Sequence, residues 1–168
     1  WDEAGLVELF GGMTGARVAL ECLGIVVAMQ ALAGSPPKAS QTARPRWPTC
    51  VGSSDVRNFD EAALRGRLAK APHLRALLVI GGLPCQGVAR FSASGHGWAE
   101  KRAAPGIRAL TLAENISSMS SEERERFSKA LGGALVQLCS KDSSPVRRPR
   151  LLWSNWPLVA VTPELSWE

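Results

Sequence analysis

A cysteine stands in a short loop rich in glycine and proline, Gly82–Gly87 (GLPCQG), directly after an apolar run. In open α/β sheets, ligands bind outside the carboxyl ends of the strands, so a loop in this place is suited to chemistry. The thiolate of Cys85 is therefore a candidate nucleophile. The alternative at this point is a small apolar cysteine that packs beneath the loop.

Two further groups of polar residues stand near the ends of apolar runs, at Glu114–Ile116 (ENI) and Arg147–Leu151 (RRPRL). A carboxyl group in a partly buried cleft has a raised pKa and can give a proton to a substrate nitrogen, which is the chemistry expected of Glu114. In an extended segment, Arg148 and Arg150 point the same way and can hold a phosphate, or a carboxylate and a base. The alternatives are a solvated loop acid and a basic surface run.

A glycine-rich segment, Phe10–Gly15 (FGGMTG), follows one apolar run and precedes a helical pattern. Glycines let the backbone approach a ligand closely, and a helix N-terminus offers free N–H groups to an anion. The spacing matches neither the dinucleotide fingerprint nor the P-loop. A tight turn between a strand and a helix is the alternative.

These segments are separated by alternating strand and helix patterns, which predict a mainly parallel α/β sheet. Residues 34–54 hold four prolines and no periodicity, and we expect an irregular loop there. The predicted strands are Gly5–Phe10, Ile25–Met29, Leu74–Ile80, Ala109–Ile116, Ala134–Cys139 and Leu151–Trp156, and the predicted helices are Ala16–Leu23, Glu61–Leu68 and Ser121–Leu131.

Composition narrows the class of protein. With 168 residues, of which 45% are hydrophobic, the chain suits one domain with a proper core. The net charge of +5 is compatible with a polyanionic partner. No apolar run reaches membrane-spanning length, and three acids within residues 2–9 argue against a signal peptide. Four scattered cysteines without C-x-x-C spacing argue against zinc and favour a reducing compartment.

Taken in order, these segments resemble the DNA cytosine methyltransferases that modify carbon 5 of the base. GLVELFGGMTGARVALECLG resembles their cofactor-binding motif, and Asp55-Val56 resembles the pair that holds the adenosine. GGLPCQG, LAENI and RRPRLLW resemble the catalytic Pro-Cys loop, the Glu-Asn-Val motif and the Arg-x-Arg motif. The resemblance covers most of residues 5–158.

The resemblance implies a Rossmann-like methyltransferase fold and S-adenosylmethionine as the cofactor. Cys85 would attack carbon 6 of a cytosine flipped out of duplex DNA. Glu114 would protonate or hydrogen-bond the ring nitrogen, while Arg148 and Arg150 would hold the base and help to keep the thiol anionic. The residues expected to bind the cofactor are Phe10, Gly11, Gly12, Met13, Thr14, Gly15, Asp55, Val56 and Pro84.

The chain departs from the family pattern in several places. Leu83 replaces the first proline of Pro-Pro-Cys, and no acid follows Ile25–Met29, where the family binds the ribose. Gln30 could hydrogen-bond a ribose there without carrying charge. The chain begins at Trp1 and stops soon after Arg150, so we expect residues 1–168 to be a partial catalytic domain without the target-recognition region. We also expect the late tryptophans to lie on apolar surface that meets the absent part (Trp153, Trp156 and Trp167).

Two other hypotheses stay open. One is a non-catalytic relative that keeps the fold and acts as a binding or regulatory partner. The other is a transfer-RNA cytosine-5 methyltransferase, because net charge does not distinguish two polyanions. We expect the nucleus as the location in a eukaryote and the cytoplasm otherwise, with no membrane or metal partner.

Overall fold

Seven strands and three helices make up the described part of the chain. The computed structural model describes residues 3–10, 14–34, 41, 45–48, 50–53, 55–82, 107–142 and 145–158. The strands are β1 Glu3–Leu9, β2 Val26–Ala33, β3 Val51–Ser53, β4 Ala76–Gly82, β5 Arg108–Ile116, β6 Ala134–Cys139 and β7 Pro149–Ser154. The helices are α1 Gly15–Cys22, α2 Glu61–Ala69 and α3 Ser121–Leu131, and 3₁₀ turns cover Val56–Asn58 and Ser140–Asp142.

The strands form one sheet in the order β3-β2-β1-β4-β5-β7-β6. The pairs among β1 to β5 are parallel, whereas β7 is antiparallel to both β5 and β6. The predicted mainly parallel α/β sheet is therefore confirmed. Because β7 runs against its neighbours, its first residues lie at the same edge of the sheet as the last residues of β5.

Local signals explain where the helices begin and end. Asp60 caps α2 by accepting a hydrogen bond from the Ala63 N–H at 2.8 Å. Ser120 and Glu123 form a reciprocal capping box at the start of α3, and Gly132 ends that helix with φ at 59°. The predicted helices agree with the observed ones to within one residue at each end.

Helices cover both faces of the central strands, which is why β1 and β4 are apolar on both sides. On one face, Leu20 of α1 packs in a cluster with Leu6 and Val27. On the other face, Leu64 and Leu68 of α2 pack in a second cluster. A third cluster joins α3 to β5 and β7.

The range 34–54, for which the sequence predicts an irregular loop, contains β3. This three-residue strand pairs with Ala31–Ala33 at the edge of the sheet. Trp47 is buried in a cluster with Leu32 and Cys50. A strand of three residues is too short to show a period of two, and the burial of Trp47 is a tertiary contact. Composition therefore did not indicate either feature.

Trp153 corrects the expectation that the late tryptophans lie on exposed apolar surface. Its side chain is 1% exposed, and its ring stacks on Phe127 with the centroids 5.2 Å apart. Its indole N–H donates to Ser128 Oγ at 2.9 Å. Trp156 is partly buried against the cluster beside α1, and Trp167 lies outside the described residues. β7 is an interior strand between β5 and β6, and this neighbourhood buries Trp153.

We expect Trp153→Ala to lower the free energy of unfolding by about 3–5 kcal/mol, because it removes a stacked and hydrogen-bonded ring from a closed cluster. Urea denaturation followed by circular dichroism measures the change. Trp156→Ala is the matched control and should cost less, since that ring is only partly buried. Equal effects of the two substitutions would contradict the assignment of Trp153 to the core.

Candidate active site at the carboxyl edge of the sheet

The ends of β1, β2 and β3 are held together by backbone hydrogen bonds. The Phe10 N–H donates to the Ala33 carbonyl at 2.8 Å, and the Gly34 N–H donates to the Ser53 carbonyl at 3.0 Å. The segments that follow these three strands therefore start from one common edge. In this fold class, that edge is where ligands bind.

Phe10 and Thr14 flank the glycine-rich turn, and both adopt left-handed backbone conformations, with φ at 56° and 64°. The Phe10 ring lies over Gly34, where an added Cβ would come within 2.7 Å of the ring. Thr14 is fully buried, and its carbonyl accepts a hydrogen bond from the Val18 N–H at 3.3 Å. The turn therefore begins and ends in conformations that non-glycine residues adopt at a cost.

Asp55 and Val56 follow β3 at the same edge. Ser53 Oγ donates to the Asp55 carbonyl at 2.7 Å and accepts from the Asp55 N–H at 3.3 Å. Val56 packs against the cluster that Phe10 also contacts. Of the residues expected to bind the cofactor, Phe10, Thr14, Gly15, Asp55 and Val56 are described, and all lie at this edge.

Glu114 and Arg150 form an ion pair between β5 and β7. Arg150 Nε donates to Glu114 Oε1 at 2.5 Å, and the side chain of Arg150 is 23% exposed while that of Glu114 is 38% exposed. Glu114 is also the register partner of Gly82, the last residue of β4. A Cβ at Gly82 would lie 3.2 Å from Glu114 Oε2, so glycine leaves room for the carboxylate.

Of the remaining predicted site residues, only Arg148 is among the described residues. Arg148 precedes β7, is exposed, and makes no side-chain hydrogen bond or ion pair with the described part of the chain. Gly11, Gly12, Met13, Pro84 and Cys85 lie outside the described residues.

Gln30 does not lie where the sequence interpretation put it. It sits within β2, three residues before the end of that strand, and it is fully buried. Its amide N–H donates to Glu8 Oε2 at 2.5 Å, and its carbonyl oxygen accepts from Arg17 Nη1 at 3.2 Å. Gln30 is therefore part of the interior and not a ribose ligand, and the edge residues Ala33 and Gly34 carry no acid.

Glu8 is a functional candidate that sequence reasoning missed. It lies within the apolar run of β1 and is 1% exposed. The backbone N–H of Ala16 donates to Glu8 Oε1 at 3.0 Å. An acid inside an otherwise apolar strand was the available signal. This bond corrects the expectation of a helix start with free N–H groups, because Glu8 already occupies a donor of the first turn of α1.

Burial raises the pKa of the Glu8 carboxyl above its ordinary value of 4.5. The hydrogen bonds from Gln30, Ala16 and Arg17 oppose this shift. On the outer side of α1, Arg17 Nε donates to Glu21 Oε1 at 2.8 Å, and this bond lowers the pKa of Glu21. Along this side of α1, the acidic Glu8 in the interior is followed by the basic Arg17 and then by the acidic Glu21 nearer the surface.

Comparison with solved structures shows the fold. The Dnmt2 methyltransferase of S. pombe matches with a TM-score of 0.58 and 16% identity, over 94% of this chain and 52% of that one. A mutant of DNMT2 from Spodoptera frugiperda matches with a TM-score of 0.55 and 16% identity, over 92% and 52%. An rRNA methylase from Streptococcus thermophilus matches with a TM-score of 0.50 and 12% identity, over 91% and 86%.

The chain therefore has the Rossmann-like fold of methyltransferases, as predicted. It spans about half the length of the two Dnmt2 structures. No protein-family model and no curated protein matches the sequence.

The described residues contain no helix long and apolar enough to cross a membrane. They also contain no group of three or more His, Cys, Asp or Glu side chains arranged to hold a metal ion.

The raised pKa of Glu8 predicts a pH dependence of stability. As the pH rises above 4.5, Glu8 ionises in the unfolded chain before it ionises in the folded chain. The stability that Glu8 contributes is therefore lost as the pH rises from 4.5 through the raised pKa of the folded chain. We expect the unfolding free energy of the parent chain minus that of Glu8→Gln to fall as the pH rises. Urea titrations at several pH values measure it. Glu122→Gln, at the surface, is the control. A difference that does not change with pH would contradict the shift.

Proposed function

We propose that this chain carries out methyl transfer from S-adenosylmethionine to carbon 5 of cytosine, with duplex DNA as the substrate. The observation that carries the proposal is the Glu114–Arg150 pair beside Gly82. It joins the Glu-Asn-Ile and Arg-x-Arg segments at the point from which the Pro-Cys segment leaves the sheet. The methyltransferase fold supports the same function.

The roles follow from the chemistry of cytosine. The Cys85 thiolate adds to carbon 6, and the ring nitrogen gains electron density as that bond forms. The carboxylic acid form of Glu114 gives its proton, or a hydrogen bond from its O–H, to this nitrogen, so negative charge does not accumulate on the ring. Arg150 orients the Glu114 carboxyl group through the bond from its Nε. Arg148, exposed and outside the strand, is available to hold the base or a phosphate.

The described edge suits an adenosine-bearing cofactor. Phe10 and Val56 supply apolar surface beside the ends of β1 and β3, and Asp55 supplies a carboxylate at the same place. S-adenosylmethionine supplies an electrophilic methyl group when bound. No acid at the end of β2 contributes to the site, so Phe10, Asp55 and Val56 carry more of the recognition.

Calorimetric titration with S-adenosylmethionine tests the cofactor assignment. We expect saturable one-to-one binding, weakened by Asp55→Ala and unchanged by Asp60→Ala, a nearby acid whose side chain caps α2. If the folded chain shows no binding, the interpretation as a non-catalytic relative replaces the proposal.

We expect Cys85→Ala to abolish methyl transfer and to leave cofactor binding nearly unchanged, while Glu114→Gln slows transfer strongly without unfolding the chain. A duplex oligonucleotide carrying 5-fluorocytosine gives a direct assay, because carbon 5 then has no proton to lose and the cysteine adduct persists. Cys22→Ala is the control, since Cys22 is an exposed free thiol.

The same assay distinguishes duplex DNA from transfer RNA as the substrate. A persistent adduct with fluorinated transfer RNA and none with duplex DNA would favour the RNA hypothesis. An adduct that survives Cys85→Ala would remove Cys85 from the role of nucleophile.

A further inference from the structure

A directed chain of hydrogen bonds crosses the interior between α1, β2 and β1. Arg17 Nη1 donates to Gln30 Oε1 at 3.2 Å, Gln30 Nε2 donates to Glu8 Oε2 at 2.5 Å, and the Ala16 N–H donates to Glu8 Oε1 at 3.0 Å. The hydrogen bonds therefore run from Arg17 on α1 through Gln30 on β2 to Glu8 on β1, and the Ala16 N–H of α1 donates to the same carboxyl.

The orientation of the Gln30 carboxamide is set by its two neighbours, Arg17 and Glu8. A guanidinium has donors only, so the oxygen of the Gln30 carboxamide must face Arg17. The NH₂ group of Gln30 then faces Glu8, where a donor is needed. A carboxylate at position 30 would oppose Glu8, and an apolar side chain there would leave polar atoms unpaired on both sides. Glutamine is the side chain that satisfies both neighbours.

The bond from Ala16 to Glu8 ties the start of α1 to β1. Phe10, which follows β1, and Thr14, which precedes α1, both adopt left-handed backbone conformations. Thr14, the N-cap residue of α1, makes no side-chain cap bond to the helix. Glu8 supplies from the neighbouring strand the acceptor that an N-cap side chain would normally give.

We propose that Gln30 is a positioning residue, which holds the Glu8 carboxylate on the N-terminus of α1 and so fixes the start of that helix relative to β1. The consequence for S-adenosylmethionine rests on the proposed function, because the glycine-rich segment before α1 is expected to bind the cofactor. Charged groups facing Glu8 come from α1, where Arg17 is the cation nearest to it. β2 contributes the neutral Gln30, and the β4 residue in register with Glu8 is Ile80.

Amide hydrogen exchange of the cofactor-free chain tests the positioning role. In Gln30→Met, the Ala16 and Arg17 amides should exchange at least about tenfold faster, because the carboxylate loses its fixed orientation. Amides of β4 and β5 should keep their protection. Gln137→Met, on the edge strand β6, is the matched control and should leave the Ala16 amide as it is in the parent chain.

The exchanged pair Glu8→Gln with Gln30→Glu separates positioning from simple packing. The new carboxylate would accept from Arg17 and from the new amide, whose oxygen still accepts from Ala16. Protection of Ala16 should return to within about threefold of the parent value. Exchange of the Ala16 amide in the exchanged pair as fast as in Gln30→Met would overturn the positioning role.

Equal exchange in Gln30→Met and the parent chain, or faster exchange spread evenly over β4 and β5, would show that Gln30 only fills the core. If Gln30→Met does not fold, Arg17→Met provides the test. It removes the cation that orients the Gln30 amide and should make the Ala16 and Arg17 amides exchange faster. Unchanged exchange would overturn the proposal.

Calorimetry then distinguishes the proposed function from the positioning role of Gln30. A parent chain that binds no S-adenosylmethionine refutes the proposed function, and the exchange data still decide the role of Gln30.

Discussion

The unit formed by β1, α1 and β2 is organised around one buried carboxyl group, that of Glu8. Burying a carboxyl group is costly unless it is hydrogen-bonded, and here the Ala16 N–H and the Gln30 carboxamide both donate to it. These bonds tie the start of α1 to β1 and β2. An apolar residue at this position would pack but would leave the Ala16 N–H and the Gln30 amide without this acceptor.

The candidate active site follows from a second constraint, which is that parallel strands end at one edge. Phe10, Asp55 and Gly82 follow or end different strands, yet each lies where the sheet stops. Arg150 reaches that edge for a different reason. β7 is antiparallel, so its beginning meets the end of β5 and brings Arg150 to Glu114.

The surroundings of α1 show how a surface network holds the buried ring of Trp47. The Trp47 indole N–H donates to Glu21 Oε1 at 2.9 Å, and the guanidinium of Arg17 lies 5.2 Å from the Trp47 ring centroid. Arg46 lies over the same ring at 4.8 Å. On its inner side, Trp47 packs in one cluster with Leu32 and Cys50.

Much of the fold was readable from the sequence. Apolar runs bounded by glycine and capping residues predicted the long strands and all three helices, because periodicity and capping are local properties. The same runs predicted Glu114 near the end of one strand and the Pro-Cys loop just after another. What sequence determined by itself was therefore the order of the elements and the types of residue that follow them.

Tertiary structure decided which of those residues meet. The pairing of Glu114 with Arg150 depends on β7 inserting between β5 and β6, which no local pattern encodes. The buried positions of Trp153 and Gln30, and the three-residue strand β3, depend likewise on neighbours distant in the chain. Gln30 is the clearest case. The sequence showed a polar residue near a strand end, but only the register of β1 against β2 shows that its amide faces Glu8 and not the ligand edge, because side-chain direction follows from strand pairing.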